Sequence, residues 1–322
     1  MKYSLLSFIT LACLLASFVT KADSVSFEKI DDTFFLTANN CELLQKQTTA
    51  LEKWQAIPHQ ELYCSCDAKN LCKVDITPLL IATPIKTTLG KLPICHGPNC
   101  FNAALVASQI LPYFRLSDDK EFKFWVNSPL CRKLSYEEEK RPGDVVAIRE
   151  SVVGEYEVHP FIYLTEELAY TKNGYRNDDM PYALMPVSEI MQTYNVRKEC
   201  YTKQPTNEEC WRYATYYRCD TLPEYAKKQG REFKLEKSEG LFSQQQELKN
   251  IVQTINEIDH DLFKASMTGC PLALAKRFSL FELSNDLCDA AKAVANDPLS
   301  VLLCQGLEKR LDAFKIALRY LF

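Results

Sequence analysis

Residues 142–175 carry the clearest fold signal in this chain, and they read PGDVVAIRESVVGEYEVHPFIYLTEELAYTKNGY. Three runs rich in β-branched and aromatic residues follow one another, with turn signals near Gly154 and at Glu166 and Glu167. We expect three consecutive antiparallel strands here. A short helix should follow over residues 184–195.

The stretch CHGPNCFNAALVASQIL at residues 95–111 predicts a helix. Asn99 is a good N-cap and Pro112 ends the apolar run, so the helix should occupy residues 99–112. It is apolar almost all round, which is typical of a buried, central helix. Such a helix beside an antiparallel sheet indicates an α+β fold.

Residues 1–24, MKYSLLSFITLACLLASFVTKADS, have the layout of a secretory signal peptide. A cationic start precedes an apolar run, and the expected cut falls after Ala22. The mature chain would then be secreted or periplasmic, with no stable membrane insertion after cleavage. An uncleaved anchor and lipid modification of Cys13 are the alternatives.

The overall charge argues against nucleic acid as a partner. The formal net charge is -4 at pH 7, and phosphate binding needs clusters of Lys and Arg that we do not find in the sequence. Glycine is scarce, and neither the GxGxxG pattern nor the phosphate-binding P-loop pattern occurs. We therefore expect no nucleotide cofactor. No CxxC occurs and no His lies at zinc-ligand spacing, so we expect no metal requirement either.

The chain holds 14 cysteines, and an odd number remains once Cys13 leaves with the signal peptide. In an oxidising compartment most should pair, so at least one stays reduced or pairs with another chain. Residues 62–77 predict a hairpin, and its CxC at Cys64 and Cys66 is interpreted as part of structural bridges. A redox or metal site is the alternative there.

The patterns divide the chain into four segments. Residues 1–22 are the signal peptide, and residues 23–90 should form a disulfide-bridged, β-rich region. Residues 91–200 form the core that joins the helix to the sheet. A loop-like stretch at 200–222 opens a helical region, residues 201–322, which three cysteines should staple: Cys270, Cys288 and Cys304.

Cys100 is the main candidate for a nucleophile. It lies in the first turn of the predicted helix, where N–H groups and the helix dipole favour an anion and so lower a thiol pKa. The same N–H groups can bind an oxyanion. Cys95 is an alternative nucleophile that lacks a cap. A disulfide partner or a buried core thiol is the alternative role for Cys100.

His159 is the candidate base for that thiol. Only four histidines occur, and His159 begins an apolar strand, where a polar residue needs a partner. Strand alternation places His159, Phe161 and Tyr163 on one face. His96 is the alternative base. A core histidine with satisfied hydrogen bonds is the alternative role for His159.

This arrangement resembles the NlpC-type cell-wall peptidases of the papain-like group, over residues 95–195. Those enzymes place a nucleophilic cysteine at the start of a helix, a Pro-Gly-Asp turn before a strand, and a histidine at the start of the next strand. The matching positions here are Asn99 and Cys100, Pro142 to Asp144, and His159. The resemblance implies a papain-like core flanked by the bridged N-terminal region and the C-terminal helices.

The resemblance also implies a polar residue on the following strand that orients the imidazole. Asn173 is the residue we choose for this role, because an asparagine side chain can hold an imidazole through its amide oxygen. Thr171 and Lys172 are the alternatives on the same strand.

By resemblance, the expected function is hydrolysis of an amide or peptide bond outside the cytosol, with peptidoglycan stem peptides as substrate. Phe101 and Asn102 follow the cysteine and Pro160 follows the histidine, where the family has smaller or aliphatic residues. These departures motivate a second hypothesis, a binding module for wall peptides or a protein partner that retains the fold without turnover. A thiol acyltransferase using the same two residues is the third.

Overall fold

The computed structural model describes most of the chain between residues 25 and 228. The described ranges are 25–80, 83–92, 99–111, 117–151, 156–174, 180–201 and 210–228, with residues 230, 302, 305, 306 and 309. Several predictions fall outside the described residues: those for the signal peptide, Cys13, Cys95, His96, and the C-terminal cysteines Cys270, Cys288 and Cys304.

A four-stranded antiparallel sheet forms the N-terminal region. Its spatial order is β1-β2-β4-β3, with β1 at Ser26–Ile30, β2 at Thr33–Ala38, β3 at Cys64–Cys66 and β4 at Cys72–Asp75. Strands β3 and β4 pair around a polar turn, which confirms the predicted hairpin.

A helix that the sequence did not predict, α1 at Cys41–Gln55, packs on this sheet. Asn40 caps it, and the Asn40 side-chain oxygen accepts a hydrogen bond from Leu43 N at 2.7 Å. Leu44, Leu51 and Trp54 are buried along one side. The region is therefore mixed rather than only β-rich.

A six-stranded antiparallel sheet forms the second unit of the fold. Its order is β5-β10-β6-β7-β8-β9, with the strands at Cys131–Lys133 (β5), Val145–Glu150 (β6), Tyr156–Tyr163 (β7), Ala169–Lys172 (β8), Tyr182–Met185 (β9) and Arg212–Cys219 (β10). Strands β6, β7 and β8 are the three predicted antiparallel strands, and the structure confirms them.

Both faces of the six-stranded sheet are covered. Against the first face pack the capped helix α3 (Cys100–Ala107) and helix α4 (Asp119–Val126). The second face is covered by α5 (Val187–Thr193), the helix expected after the strands, together with Cys200 and Cys210. The shorter helices α2 and α6 occupy Thr83–Thr88 and Leu222–Lys228.

Strand β10 overturns the predicted loop at residues 200–222. It lies inside the sheet, paired with β6 on one side and β5 on the other. The expected boundary at residue 200 therefore cuts across one sheet. The sequence RYATYYRC is buried on both faces, so it shows no alternation of polar and apolar residues that would mark a strand.

Four disulfides join the described residues: Cys41–Cys64, Cys66–Cys72, Cys131–Cys219 and Cys200–Cys210. They confirm the bridged N-terminal region, and they suit an oxidising compartment such as the extracellular space. Among the described residues, no helix is both long and apolar enough to cross a bilayer. The architecture is α+β with antiparallel sheets, as predicted.

A buried ion pair joins β6 to β7 on the first face. Arg149 donates to Glu157 Oε1 from Nε at 2.9 Å and from Nη2 at 2.6 Å, and both side chains are less than 5 % exposed. A β-bulge between Ile148 and Arg149 sets this register, because Ile148 faces His159 while Arg149 faces Glu157.

Removing one partner of this ion pair should cost far more stability than removing both. Glu157→Leu leaves the Arg149 guanidinium buried without its carboxylate, so we expect a loss of about 3–5 kcal/mol in the free energy of unfolding. Arg149→Met combined with Glu157→Leu should recover most of that loss. Urea denaturation measures both, with Glu28→Ala at the exposed Lys73–Glu28 pair as control. Equal losses for the single and double variants would contradict the expectation.

Candidate functional site

Cys100 is the first residue of α3, and its position is fixed by the cap before it. The Asn99 side-chain oxygen accepts a hydrogen bond from Asn102 N at 3.1 Å, while Asn99 Nδ2 donates to Ser117 O at 2.5 Å. Cys100 is the one reduced cysteine among the described residues. The predicted N-cap is thus present at this helix start, and so is a cysteine without a disulfide, which the odd cysteine count predicted.

Burial decides the chemistry of this thiol. Cys100 is 5 % exposed, and desolvation raises the pKa of its thiol to about 12. Hydrogen bonding to the Phe101 N–H and the charge of Lys172 act in the opposite direction without reversing this shift. The thiol is therefore protonated at neutral pH. The lowering of its pKa that was expected from the helix start is smaller than the increase caused by burial.

Lys172 is a buried residue whose charge acts on the pKa of both candidate residues. Its side chain is fully buried on β8, and Nζ donates to the backbone oxygens of Asn173 at 2.7 Å and Gly174 at 3.4 Å. The Lys172 charge lowers the pKa of Cys100 and also that of His159. It thus favours the thiolate and disfavours the imidazolium.

His159 heads a buried chain of polar side chains. His159 Nε2 lies 2.9 Å from Thr171 Oγ1, and Thr171 Oγ1 donates to Asn173 Oδ1 at 3.1 Å. Because the single hydroxyl proton of Thr171 goes to Asn173, the Thr171 oxygen accepts from His159 Nε2–H. His159 Nδ1 then carries the lone pair, and this atom is buried without a hydrogen-bond partner.

The His159 ring is packed tightly in an apolar setting. It stacks on Tyr194 with ring centroids 4.0 Å apart and lies 6.4 Å from the Phe161 ring. Burial, followed by the Lys172 charge, lowers the pKa of His159 to about 3. The imidazole is therefore neutral throughout the physiological pH range.

The structure does not assemble the predicted Cys100–His159 pair. Helix α3 packs on the first face, in the same cluster as Ile162 and Tyr170. His159 pairs across to Ile148, which belongs to the second-face cluster, and it stacks on Tyr194 beside that cluster. No hydrogen bond joins the thiol to the ring, since Nε2 contacts Thr171 and Nδ1 has no partner.

Asn173 does share a site with His159, although its contact is indirect. The sequence predicts three possible residues for orienting the imidazole: Thr171, Lys172 and Asn173. In the structure, Thr171 is the one that contacts the imidazole directly. Asn173 orients Thr171 instead, and Asn173 Nδ2 contacts the sulfur of Met185 at 3.4 Å. The antiparallel register is what puts residues 171 and 173 on the histidine's face.

A separate open cleft of about 780 Å³ lies between α1 and the turn joining β7 to β8. Sequence analysis did not predict it, because its walls come from three distant segments. Charged side chains of both signs line it, among them Glu42, Lys46, Lys53, Glu139 and Glu166.

Tyr163, which predicted strand alternation places with His159, also lines this cleft. Burial raises the pKa of Tyr163 to about 12, and carboxylates around the ring, Glu166 first among them, contribute to the rise.

No family model, curated protein or solved structure matches this chain. The resemblance to NlpC-type enzymes therefore rests on the motif residues alone.

The depressed pKa of His159 makes stability depend on pH. The unfolded chain takes up this proton near pH 6.5 and the folded chain only near pH 3, so stability is lost as pH falls between these values. His159→Phe should reduce the slope of unfolding free energy against pH by up to about 1.4 kcal/mol per pH unit in that window.

Thr171→Val is the matched control for this measurement. It removes the hydrogen bond to Nε2 but keeps the imidazole, so it should lower stability while retaining the slope. Urea titrations between pH 4 and 7 give both quantities. An unchanged slope in His159→Phe would mean that the ring is not held neutral by the fold.

Proposed function

We propose that this chain is an extracytoplasmic peptide-binding module that retains an NlpC-like, papain-like arrangement of helix and sheet without turnover. The observation that carries the proposal is the separation of Cys100 from His159. A thiol and its base must come within hydrogen-bond reach for nucleophilic catalysis. Here the sheet lies between them, with α3 on its first face and the imidazole on its second.

Proton affinities support the same conclusion. Burial raises the pKa of the thiol to about 12 and lowers the pKa of the imidazole to about 3, so transfer of the thiol proton to the imidazole is strongly unfavourable. Papain-like catalysis needs the opposite order, with thiolate and imidazolium favoured. Both groups are better explained as parts of the core, with the Thr171–Asn173 chain satisfying one side of the imidazole.

The cleft beside α1 is the place where we propose that peptide binds. Its exposed Lys53 and Glu166 side chains can pair with a ligand's carboxylates and amines. Lys46 is already engaged, because its amine lies 3.0 Å from Glu167. Wall stem peptides, the substrate class that the family resemblance suggests, carry both kinds of charged group, and we propose them as ligand.

A thiol hydrolase that cleaves amide bonds in such peptides is the second candidate. One observation favours it: His159 Nδ1 is buried, has no partner and holds its lone pair, while Nε2 is held by Thr171, which Asn173 orients in turn. This is how a general base is prepared, with one nitrogen oriented and the other left open. In that function His159 would take the thiol proton as Cys100 attacks the carbonyl, and would return the same proton to the leaving amine. An acyltransferase would pass the same acyl group to another acceptor.

Thiol labelling separates the two candidates. Folded, oxidised protein is treated with an iodoacetamide probe at pH 7, and the labelled cysteine is located by mass mapping. We expect Cys100 to label only after denaturation, with no change in His159→Ala, because the thiol is buried and protonated. Rapid labelling of Cys100 in the folded protein that slows in His159→Ala would overturn the non-catalytic proposal and support the hydrolase.

Ligand binding is tested at the cleft by reversing charges. Lys53→Glu and Glu166→Lys should each weaken binding of purified muropeptides about fivefold, from roughly 1 kcal/mol per exposed charge contact. Isothermal titration calorimetry at low and high salt measures the loss, which should shrink at high salt. Glu61→Lys, exposed and outside the cleft, is the control. Equal affinity in all variants would place any binding elsewhere.

A further inference from the structure

Two disulfides of the N-terminal sheet lie in contact with each other. Cys41–Cys64 ties α1 to β3, and Cys66–Cys72 joins directly opposed residues of β3 and β4. The sulfurs of Cys41 and Cys66, which belong to different bridges, are only 3.6 Å apart. The sulfurs of Cys41, Cys64 and Cys66 all lie within 4.8 Å of one another. We define these four residues as the cysteine cluster.

We propose that the cysteine cluster is a thiol–disulfide exchange site that takes low-molecular-weight thiols and interconverts two disulfide pairings. The first pairing is the one in the structure. The second joins Cys41 to Cys66 and Cys64 to Cys72. The 3.6 Å sulfur contact carries the proposal, because an attacking thiolate must approach a bridge sulfur at about this distance before a bond forms.

Exposure decides where an external thiol enters. Cys66 is exposed, whereas Cys72 is 1 % exposed. An incoming thiolate therefore attacks Cys66 Sγ, a mixed disulfide forms, the bond to Cys72 breaks, and its electron pair goes to Cys72 as a thiolate. A second thiol attacks the outer sulfur of the mixed disulfide. It releases the Cys66 thiolate and leaves the external thiol as its own disulfide.

The exchange itself then needs no further reagent. The Cys66 thiolate attacks Cys41 Sγ, the Cys41–Cys66 bond forms, the Cys41–Cys64 bond breaks, and Cys64 leaves as a thiolate. Cys64 and Cys72 are oxidised to a bridge by the external disulfide produced earlier, which returns two thiols. The whole cycle is therefore an isomerisation with no net consumption of thiol.

A substitution at Cys72 isolates the exchange step. Cys72→Ser leaves Cys66 as a thiol in contact with the Cys41–Cys64 bridge. At pH 8 we expect two populations, one with Cys41–Cys64 and one with Cys41–Cys66 and a free Cys64. Acid quenching, alkylation and fragmentation between Cys64 and Cys66 locate the alkyl group. At pH 4 the interconversion should slow by at least a hundredfold, because exchange requires the thiolate.

Cys219→Ser is the matched control. It leaves Cys131 as a lone thiol at the second sheet, away from the cysteine cluster. Both N-terminal bridges should then keep their pairing at pH 8. Circular dichroism and thermal melting check that each variant folds. The Cys100 thiol is present in both variants, so it cannot account for a difference in disulfide pairing between them.

Wild-type protein provides the second measurement. In a buffer of reduced and oxidised glutathione, mass mapping should find the Cys41–Cys66 and Cys64–Cys72 pairing beside the original one. A Cys72→Ser protein that keeps only Cys41–Cys64, with Cys66 fully alkylated at every time point, would overturn the proposal. So would a Cys64–Cys66 bridge, or wild-type protein that shows only the original pairing in glutathione.

Discussion

Burial of the six-stranded sheet on both faces is the constraint on which the rest of this structure depends. Polar groups on its inner strands lose water, so each must find a partner or become neutral. Arg149 and Glu157 meet this demand as an ion pair. His159 meets it by deprotonation and by one hydrogen bond to Thr171. The same loss of water keeps the Cys100 thiol protonated.

The bulge in the pairing of β6 with β7 determines which groups share a face. Glu157 and His159 are two residues apart, so simple alternation would place both side chains on one side of the sheet. Their partners Arg149 and Ile148 are consecutive, so Val158 is the extra residue of the bulge, which sends Glu157 to the first face and leaves His159 on the second. This local irregularity fixes the buried ion pair and the imidazole on opposite sides of β7.

The two sheets differ in what holds them together. The six-stranded sheet is buried between helices on both sides, whereas the smaller N-terminal sheet has one helix and two adjoining disulfides. Its inner residues, among them Leu36 and Val74, belong to the same buried cluster as α3 and Tyr170, so the bridges supplement a shared core. The close packing of four cysteines there supplies both the stabilising links and the sulfur contact through which they can rearrange.

Local patterns in the sequence determined the parts of the fold that depend on neighbouring residues. The cap at Asn99, the hairpin at β3 and β4, and the succession of β6, β7 and β8 all follow from short-range spacing. Cysteine parity likewise indicated a reduced thiol, which the structure identifies among its described residues as Cys100. Strand β10 was missed because burial on both faces leaves it no alternation of polar and apolar residues. Helix α1 does carry local signals, the cap at Asn40 and apolar residues at helical spacing, and these were overlooked.

The sequence also selected His159 and Asn173 as residues of one site, and the structure joins them through Thr171. Only the tertiary structure decided that Cys100 lies on the other side of the sheet. Sequence order can place a cysteine at a helix start and a histidine on a strand. It cannot specify against which face the helix packs, because β7 has residues to bury on both faces and either can receive a helix.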